Sequence, residues 1–187
     1  MFTPHTVNRS QQLLTLLTAC LAALILPASL TGTSVAIPQI NAELHPGLVE
    51  LQRVVNACNL TFAAFMLIFG SLADILGRKR VFIFGTTLFA ACSLTSVLAN
   101  NILLLDVVRG LSGVGAAAMM TAGSALLAQA YTGEQLAKAF AIFGSAAGAG
   151  LAIDPSLSGF LVGLAGWHSV FGLHLVSRVV SCFVVGV

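Results

Sequence analysis

Charged residues are scarce in this chain of 187 residues. Lys, Arg, Asp and Glu together make up 7% of the sequence, whereas soluble globular domains carry roughly 25% charged residues. Hydrophobic residues make up 58%, which suits the apolar interior of a bilayer rather than water. The cations are too few and too scattered to follow a phosphate backbone, so no nucleic-acid partner is expected. The composition therefore predicts an all-α, polytopic membrane protein.

The sequence also lacks the usual signs of an active site or a metal centre. It contains no G-x-S-x-G element, no paired nucleophile and base, and no His/Glu metal cluster. The four cysteines lie in apolar runs without CxxC or Cys/His spacing, and we interpret them as small packing residues; they are Cys20, Cys58, Cys92 and Cys182. We therefore expect no enzymatic activity, no metal and no cofactor.

Six apolar segments are long enough to cross a bilayer, which takes about 20 residues. After a tail at residues 1–12, they cover about residues 13–37, 54–72, 81–99, 102–129, 139–164 and 167–187. The first segment is longer than the apolar part of a cleaved signal peptide, and further strong spans follow it. We therefore interpret it as a retained helix. No second domain or long linker is visible.

The basic residues predict the orientation of these spans. If the N-terminus is cytoplasmic, then Arg9, the cluster at residues 78–80 and Lys138 are cytoplasmic too, and only Arg53 clearly lies on the far side. The reverse orientation would invert this bias, which cytoplasmic loops normally show. We predict a multi-pass protein of the cell (inner) membrane with a cytoplasmic N-terminus, and the lipid bilayer is its first partner.

The most informative segment, Gly70–Arg80, joins the second and third spans and reads G-S-L-A-D-I-L-G-R-K-R. Gly77 permits a turn, and the three cations after it can anchor the loop and contact anionic headgroups. From charge alone, a plain topology anchor is the simplest interpretation. The spacing carries more information, because the segment resembles the signature loop of the major facilitator superfamily. Only Ile75 departs, where an arginine is frequent.

Other segments resemble the drug/proton antiporter branch of that family, in particular its fourteen-span multidrug-efflux members. Residues 35–40, V-A-I-P-Q-I, are similar to the end of a V-A-L-P-x-I element. Residues 109–117 are similar to R-x-x-Q-G-x-G-A-A, with Ser112 in place of the glutamine. Residues 166–171, G-W-H-S-V-F, resemble a G-W-R-W-x-F start to the sixth helix. The aspartate that this branch often carries in the first helix is absent, and Ser29 falls near its position, which weakens a prediction of ordinary proton antiport.

The fifth span resembles the G-P-x-x-G-G motif of the antiporters, with Asp154 and Ser158 in place of two of its glycines. Pro155 removes a backbone hydrogen bond and bends a helix. Beside that break, Asp154 is a candidate site for a proton or a substrate; the alternative is a damaging departure from the family's glycine. Several residues of this span are interpreted as packing or hinge positions: Gly144, Gly148, Pro155 and Gly159.

Two charges of the fourth span, Asp106 and Arg109, lie three residues apart and hence on one face of a helix. Either they form an ion pair at the membrane interface, or Arg109 corresponds to the family's fourth-helix arginine, which is implicated in proton coupling. A third charge, Arg178, falls in the middle of the sixth span. It either faces a cavity or belongs to a degraded segment.

The resemblance implies a role for the signature loop in gating rather than in substrate binding. Its aspartate would face a helix N-terminus in the second half of the transporter, an attraction expected from the helix dipole. The gating residues carried over by position are Gly70, Asp74, Gly77, Arg78, Lys79 and Arg80.

The resemblance also implies the fold and the function. Six helices would form one half of a major facilitator fold, built as a 3+3 inverted repeat. We expect the N-terminal half of a secondary active transporter, truncated or split, that exports drugs or other amphipathic organic compounds with proton coupling. Its partners would be a small-molecule substrate and either a second six-helix half or a second copy of itself. The alternative is a non-transporting membrane remnant or interaction protein.

Overall fold

The computed structural model describes residues 9–176, without the side chains at positions 9, 10, 25, 26, 28, 30 and 44. Within these residues the chain is helical and contains no strand, which confirms the all-α prediction. The five long helices are α1 (Arg9–Leu44), α2 (Leu48–Leu76), α3 (Arg78–Val97), α4 (Ile102–Ala130) and α5 (Gly133–Ala165). Residues 168–176 are also helical. Arg178, Cys182 and the remainder of the predicted sixth span lie outside the described residues.

Four of these helices, α2 to α5, are long and apolar enough to cross a membrane, and α1 contains a shorter apolar stretch at Gln11–Leu24. The helices extend beyond the apolar spans predicted from the sequence. At 1.5 Å per residue, the 33 residues of α5 measure about 50 Å, against roughly 30 Å of hydrocarbon. The additional turns carry polar residues of the connections. The predicted spans leave residues 38–53 between the first two helices, whereas in the structure only residues 45–47 are non-helical there.

Helix α4 lies at the centre of the bundle and packs against α2, α3 and α1, while α1 also packs along α5. More than half (56%) of the apolar window of α4 is buried, compared with 11% for α2 and 17% for α5. A run of small residues makes this central position possible, because helices in a membrane approach closely where side chains are small. The buried run includes Gly113, Gly115, Ala116, Ala117 and Ala118. Large faces of α2 and α5 therefore have no partner among the described residues.

The apolar core forms two main clusters, one at each end of α4. The first joins α2, α3 and α4 through buried aromatic and sulfur-containing side chains, chiefly Phe69, Phe82, Phe89 and Met119. The second lies at the other end and joins α1, α2 and α4 to the segment after α5; its members include Ile40, Val54, Leu105, Trp167 and Phe171. Buried polar residues lie between these ends, and they include side chains of α1, α4, α5 and residues 168–176.

The contact between α3 and α4 depends on a glycine pair. A Cβ placed on Gly85 would lie 2.7 Å from both the carbonyl oxygen of Gly115 and the amide nitrogen of Met119. Both atoms belong to the backbone of α4 and cannot turn away. Gly85 is therefore required for the close approach of the two helices.

We predict that Gly85→Ala separates α3 from α4 and destabilises the protein. Overpacking of this kind costs about 1–3 kcal/mol, so the thermal unfolding midpoint of the purified chain in detergent should fall. Gly144→Ala is the matched control, because a Cβ on Gly144 meets nothing within 4 Å, and alanine is the better helix former by about 0.5–1 kcal/mol. An unfolding midpoint for Gly85→Ala equal to or above that of Gly144→Ala would contradict the assigned packing.

Candidate functional site

The signature loop forms a nearly continuous helical hairpin rather than an extended loop. Helix α2 continues through Asp74 to Leu76, Gly77 alone is non-helical, and α3 begins at Arg78. Gly77 has φ +96°, a conformation that residues with a Cβ rarely adopt. The predicted turn at Gly77 is therefore present, and it is only one residue long. We refer to this end of the bundle as the basic end.

At the basic end, Arg78 links α2 to α4. Its Nε and Nη2 donate to Oδ1 of Asp74 at 3.3 and 3.1 Å, and its Nη1 donates to the carbonyl oxygen of Ala125 at 2.7 Å. The side chain of Asp74 remains 66% exposed and that of Arg78 32% exposed. Lys79 and Arg80 are exposed as well, beside an open hollow of about 610 Å³. The loop thus presents one carboxylate and three cations for contact with another surface.

A second pair of hydrogen bonds fastens the start of α1 to the end of α4 at the same end. The side-chain amide of Gln12 donates to the carbonyl oxygen of Ala130 at 3.0 Å, and the hydroxyl of Tyr131 donates to the carbonyl oxygen of Gln12 at 2.8 Å. Tyr131 follows α4, and desolvation raises the pKa of its phenol, with a smaller contribution from Cys20. The phenol therefore stays protonated, and remains a hydrogen-bond donor, throughout the neutral pH range.

Arg109 lies in the interior of the bundle and is 2% exposed. Its Nη1 and Nη2 donate to the hydroxyl and carbonyl oxygens of Ser29 at 3.1 and 3.2 Å. The guanidinium carbon lies 5.9 Å from the centroid of the Phe171 ring, within range of a cation–π contact. Its Nε has no hydrogen-bond partner among the described residues. A cation is thus held between α4 and α1, and one of its donors is left over.

Asp106 lies on the same helix but is separate from this arrangement. Within residues 9–176 it forms no ion pair with Arg109, and its buried Oδ1 has no hydrogen-bond partner there. The interfacial ion pair considered from the sequence is therefore not formed in this structure. Arg109 bonds to serine oxygens instead.

Asp154 lies where α5, α1 and residues 168–176 meet, and it is 3% exposed. The hydroxyl of Thr31 donates to its Oδ2 at 2.8 Å, and the hydroxyl of Ser158 donates to its Oδ1 at 3.1 Å. Nε2 of His174 lies 3.9 Å from Oδ1. A Cβ on Gly32 would lie 2.9 Å from Oδ2 and 2.7 Å from Oγ of Ser158. Asp154 is therefore enclosed by polar groups from three elements rather than left in an apolar helix.

The predicted packing positions of α5 have different surroundings. A Cβ on Gly144 or Gly148 would meet nothing within 4 Å, and one on Gly159 would reach only a methyl group of Val35 at 3.8 Å. The closest approach of α5 to α1 is at Gly150, where a Cβ would collide with the backbone carbonyl of Leu24. Pro155 lies inside α5, which continues past it to Ala165.

Several contributors to the buried polar groups could not be found by reading the sequence. Thr31, Gly32 and His174 are brought to Asp154 from positions far along the chain, and no local pattern marks them. Arg109 and Asp154 were identified because a charge inside an apolar run is unusual.

The described residues contain no group of three or more His, Cys, Asp or Glu that could hold a metal ion.

Solved structures with the same fold include a peptide transporter. The crystal structure of peptide transporter POT in complex with sulfate superposes with a TM-score of 0.81 at 18% sequence identity, and the match covers 92% of this chain and 37% of that chain. At this identity the likeness establishes the fold alone. The helical bundle described above therefore has the same fold as that protein over the matched part.

Proteins of similar sequence come from Mycobacterium, Bacillus and Streptomyces. The chain is 35% identical over 170 residues to the multidrug resistance protein Stp of Mycobacterium tuberculosis (strain ATCC 25618 / H37Rv), which covers 90% of this chain and 32% of the relative. It is 35% identical over 162 residues to the multidrug transporter protein MdtP of Bacillus subtilis (strain 168), covering 86% and 30%. A probable actinorhodin transporter of Streptomyces coelicolor (strain ATCC BAA-471 / A3(2) / M145) is 36% identical over 149 residues, covering 78% and 26%.

The chain thus spans about a third of the length of the curated relatives that it matches. Two of these relatives are named as transporters and the third as a multidrug resistance protein, and none is named as an enzyme. A sequence model described as Major Facilitator Superfamily matches residues 19–187. The chain belongs to the major facilitator superfamily.

Proposed function

We propose that the chain acts as the N-terminal half of a secondary active transporter that exports drugs or other amphipathic organic compounds in exchange for protons. The buried Arg109 is the observation that carries this proposal. A cation inside a membrane helix is costly, so it normally serves a substrate or ion pathway. Arg109 is held by Ser29 through two donors, while its Nε has no partner among the described residues. That remaining donor is available to a ligand or to a carboxylate that changes its charge.

The arrangement in the membrane follows from the same proposal. Six spans, the last of them at about residues 167–187, form a 3+3 inverted repeat in the cell (inner) membrane, with the N-terminus and the basic end in the cytoplasm. The positive-inside rule supports this orientation, because Arg78, Lys79 and Arg80 cluster at one end. Asp106 and Arg109 are the candidate coupling pair, and Asp154 is the candidate proton or substrate site.

The substrate class is proposed from the named relatives. Stp and MdtP are multidrug proteins, and the relative from Streptomyces is a probable transporter of actinorhodin. An amphipathic compound also suits the chemistry of this chain, since it can partition into the bilayer and offer polar groups to Arg109. Drug efflux is therefore favoured over transport of a small hydrophilic solute.

The second half of the transporter has a place on the surface of this bundle. Most of the apolar windows of α2 and α5 is exposed, and Gly144 and Gly148 of α5 have open space before them. We assign these faces to a second six-helix half or to a second copy of the chain, with Gly144, Gly148, Pro155 and Gly159 at the moving contact. Asp74 would then face a helix N-terminus of that partner, and Arg78 would join it to α4.

The first prediction from this proposal concerns Arg109. Cells that express the chain together with the part of MdtP following the matched region should export a fluorescent cationic dye, and a protonophore should stop the export. Arg109→Gln should lower export about tenfold or more, because each hydrogen bond to a charged group is worth about 1.5–3 kcal/mol. Arg109→Lys retains the charge but not the two-donor contact with Ser29, so export should fall less.

The control for this assay is the chain expressed alone, which tests whether two copies suffice. Absence of export in both arrangements, with the chain correctly inserted in the membrane, would contradict the transporter function. That result would leave the non-transporting membrane protein as the better interpretation.

The second prediction concerns the gating loop. Asp74→Asn should reduce export several-fold while leaving the unfolding midpoint nearly unchanged, because an exposed ion pair contributes only about 0–1 kcal/mol to stability. Glu134→Gln is the matched control at the same end of the bundle. Glu134 and Lys138 are also four residues apart, and they form an ion pair at 2.9 Å that is more exposed than that of Asp74 and Arg78. Loss of the Glu134–Lys138 ion pair should not affect export. Equal export by the two variants would show that Asp74 has no role in gating.

A further inference from the structure

A buried carboxylate and a buried imidazole face each other where α5 meets residues 168–176. Oδ1 of Asp154 and Nε2 of His174 are 3.9 Å apart, and both side chains are 2% exposed. This separation is within the range of an ion pair but longer than a hydrogen bond. At such a distance in a low-dielectric interior, the charge of each group strongly affects the protonation of the other. A change in the charge of either group therefore alters the electrostatic surroundings of the other.

The polar groups around this pair come from α1, α4 and α5. On α1 and α5, hydroxyl groups of Thr31 and Ser158 face the carboxylate. The nearest cation from α4 is Arg109, which is held by Ser29 and lies over Phe171. No further acidic side chain among the described residues contacts Asp154. An ionised Asp154 without a protonated His174 would be a buried charge held only by hydroxyl groups, a costly state.

The contacts of the Thr31 hydroxyl include one acceptor on each of two helices. Its Oγ1 is 2.8 Å from Oδ2 of Asp154 on α5 and 3.3 Å from the carbonyl oxygen of Pro27 on α1. A hydroxyl carries one proton and accepts through its lone pairs. When Asp154 is ionised, Thr31 donates to Asp154 and joins α1 to α5. When Oδ2 carries a proton, Asp154 donates to Thr31 instead, and Thr31 then donates to Pro27.

Helix α1 is sensitive to this change because of its sequence at the contact. Pro27 has no backbone N–H, so the helix lacks one hydrogen bond in the turn before it. Gly32 follows Thr31 and has no Cβ. A Cβ there would lie within 3 Å of side-chain oxygens of Asp154 and Ser158, so glycine is what allows α1 to approach them this closely. A reversal of the Thr31 hydrogen bond therefore acts on a weakened turn of α1, next to the contact of Gly32 with α5.

We propose that Asp154 and His174 form a proton-binding site, and that Thr31 transmits its state to α1. On protonation one O–H bond forms at Oδ2 of Asp154. The bond that breaks is an O–H bond of a hydronium ion, which leaves water, or the Nε2–H bond of the His174 imidazolium, which leaves the neutral imidazole. The inference rests on the proposed proton-coupled export and names the group that binds the coupling proton. It assigns Thr31 as a positioning residue, since Thr31 acts through Asp154.

Infrared spectroscopy of the purified chain in lipid nanodiscs, without substrate, tests the proton site. The carbonyl stretch of a protonated carboxyl group should appear as the pH is lowered and should disappear in Asp154→Asn. In the unmodified chain this band should follow two steps with pH, because the pair shares its titration. In His174→Gln it should follow one step. The exposed variant Glu134→Gln should keep both steps.

Hydrogen exchange of the α1 backbone tests the role of Thr31. Exchange at residues 28–33 should change with pH in the unmodified chain and should lose that dependence in Thr31→Val, which keeps the shape of the side chain without the hydroxyl. The infrared band of Asp154 should still titrate in Thr31→Val. Retention of the pH-dependent exchange in this variant would overturn the proposed link to α1.

The outcomes separate this inference from the proposed function. A band that is unaffected by Asp154→Asn, or a single step that is the same in His174→Gln, would overturn the proton site even if the protein exports dye. Two coupled steps in a chain that exports nothing would support the proton site and contradict the transporter function instead.

Discussion

The close approach of α1 to α5 determines where the buried polar groups of this protein lie. At Gly150 the backbone of α5 meets the backbone of Leu24, and at Gly32 the backbone of α1 meets the side chains of Asp154 and Ser158. A larger residue at either glycine would move the two helices apart. Only at this separation can Thr31 reach Asp154 across the interface. The same position of α1 brings Ser29 to Arg109 of α4.

Helix α1 thus provides the polar partners for charges that originate on other helices. A membrane interior offers no water to these charges, so each needs a partner within the protein. Arg109 and Asp154 are side chains of opposite type, yet they bond to Ser29 and Thr31 of α1 rather than to each other. The arrangement keeps both groups solvated by hydroxyl and carbonyl oxygens. It also makes the position of α1 depend on their charge.

The sequence was sufficient to predict the class of fold, four of the apolar helices and the turn at Gly77, because each depends on residues close together along the chain. It was also sufficient to single out Arg109 and Asp154 as unusual charges. It could not show that Thr31 contacts Asp154 over a separation of 123 positions, or that His174 lies beside it. Helical periodicity gives the face on which a residue lies, but it does not give the helix that this face meets.

The glycines at close helix contacts are likewise not marked by the sequence. Gly144 and Gly148 form a regular pattern and attracted a packing interpretation, while Gly32 and Gly150 form no pattern of their own. The structure brings backbone or side-chain atoms close to Gly32 and Gly150 and leaves open space at Gly144 and Gly148. Close contact depends on the neighbour across the interface, and a single sequence does not contain that neighbour's position.

The one-residue connection at Gly77 also constrains how the protein enters the membrane. Helices α2 and α3 have only the two backbone torsions of Gly77 between them. Once both helices have formed, they can therefore enter the bilayer only as a connected hairpin. The three cations directly after Gly77 resist translocation and oppose passage of the tip of that hairpin through the hydrocarbon.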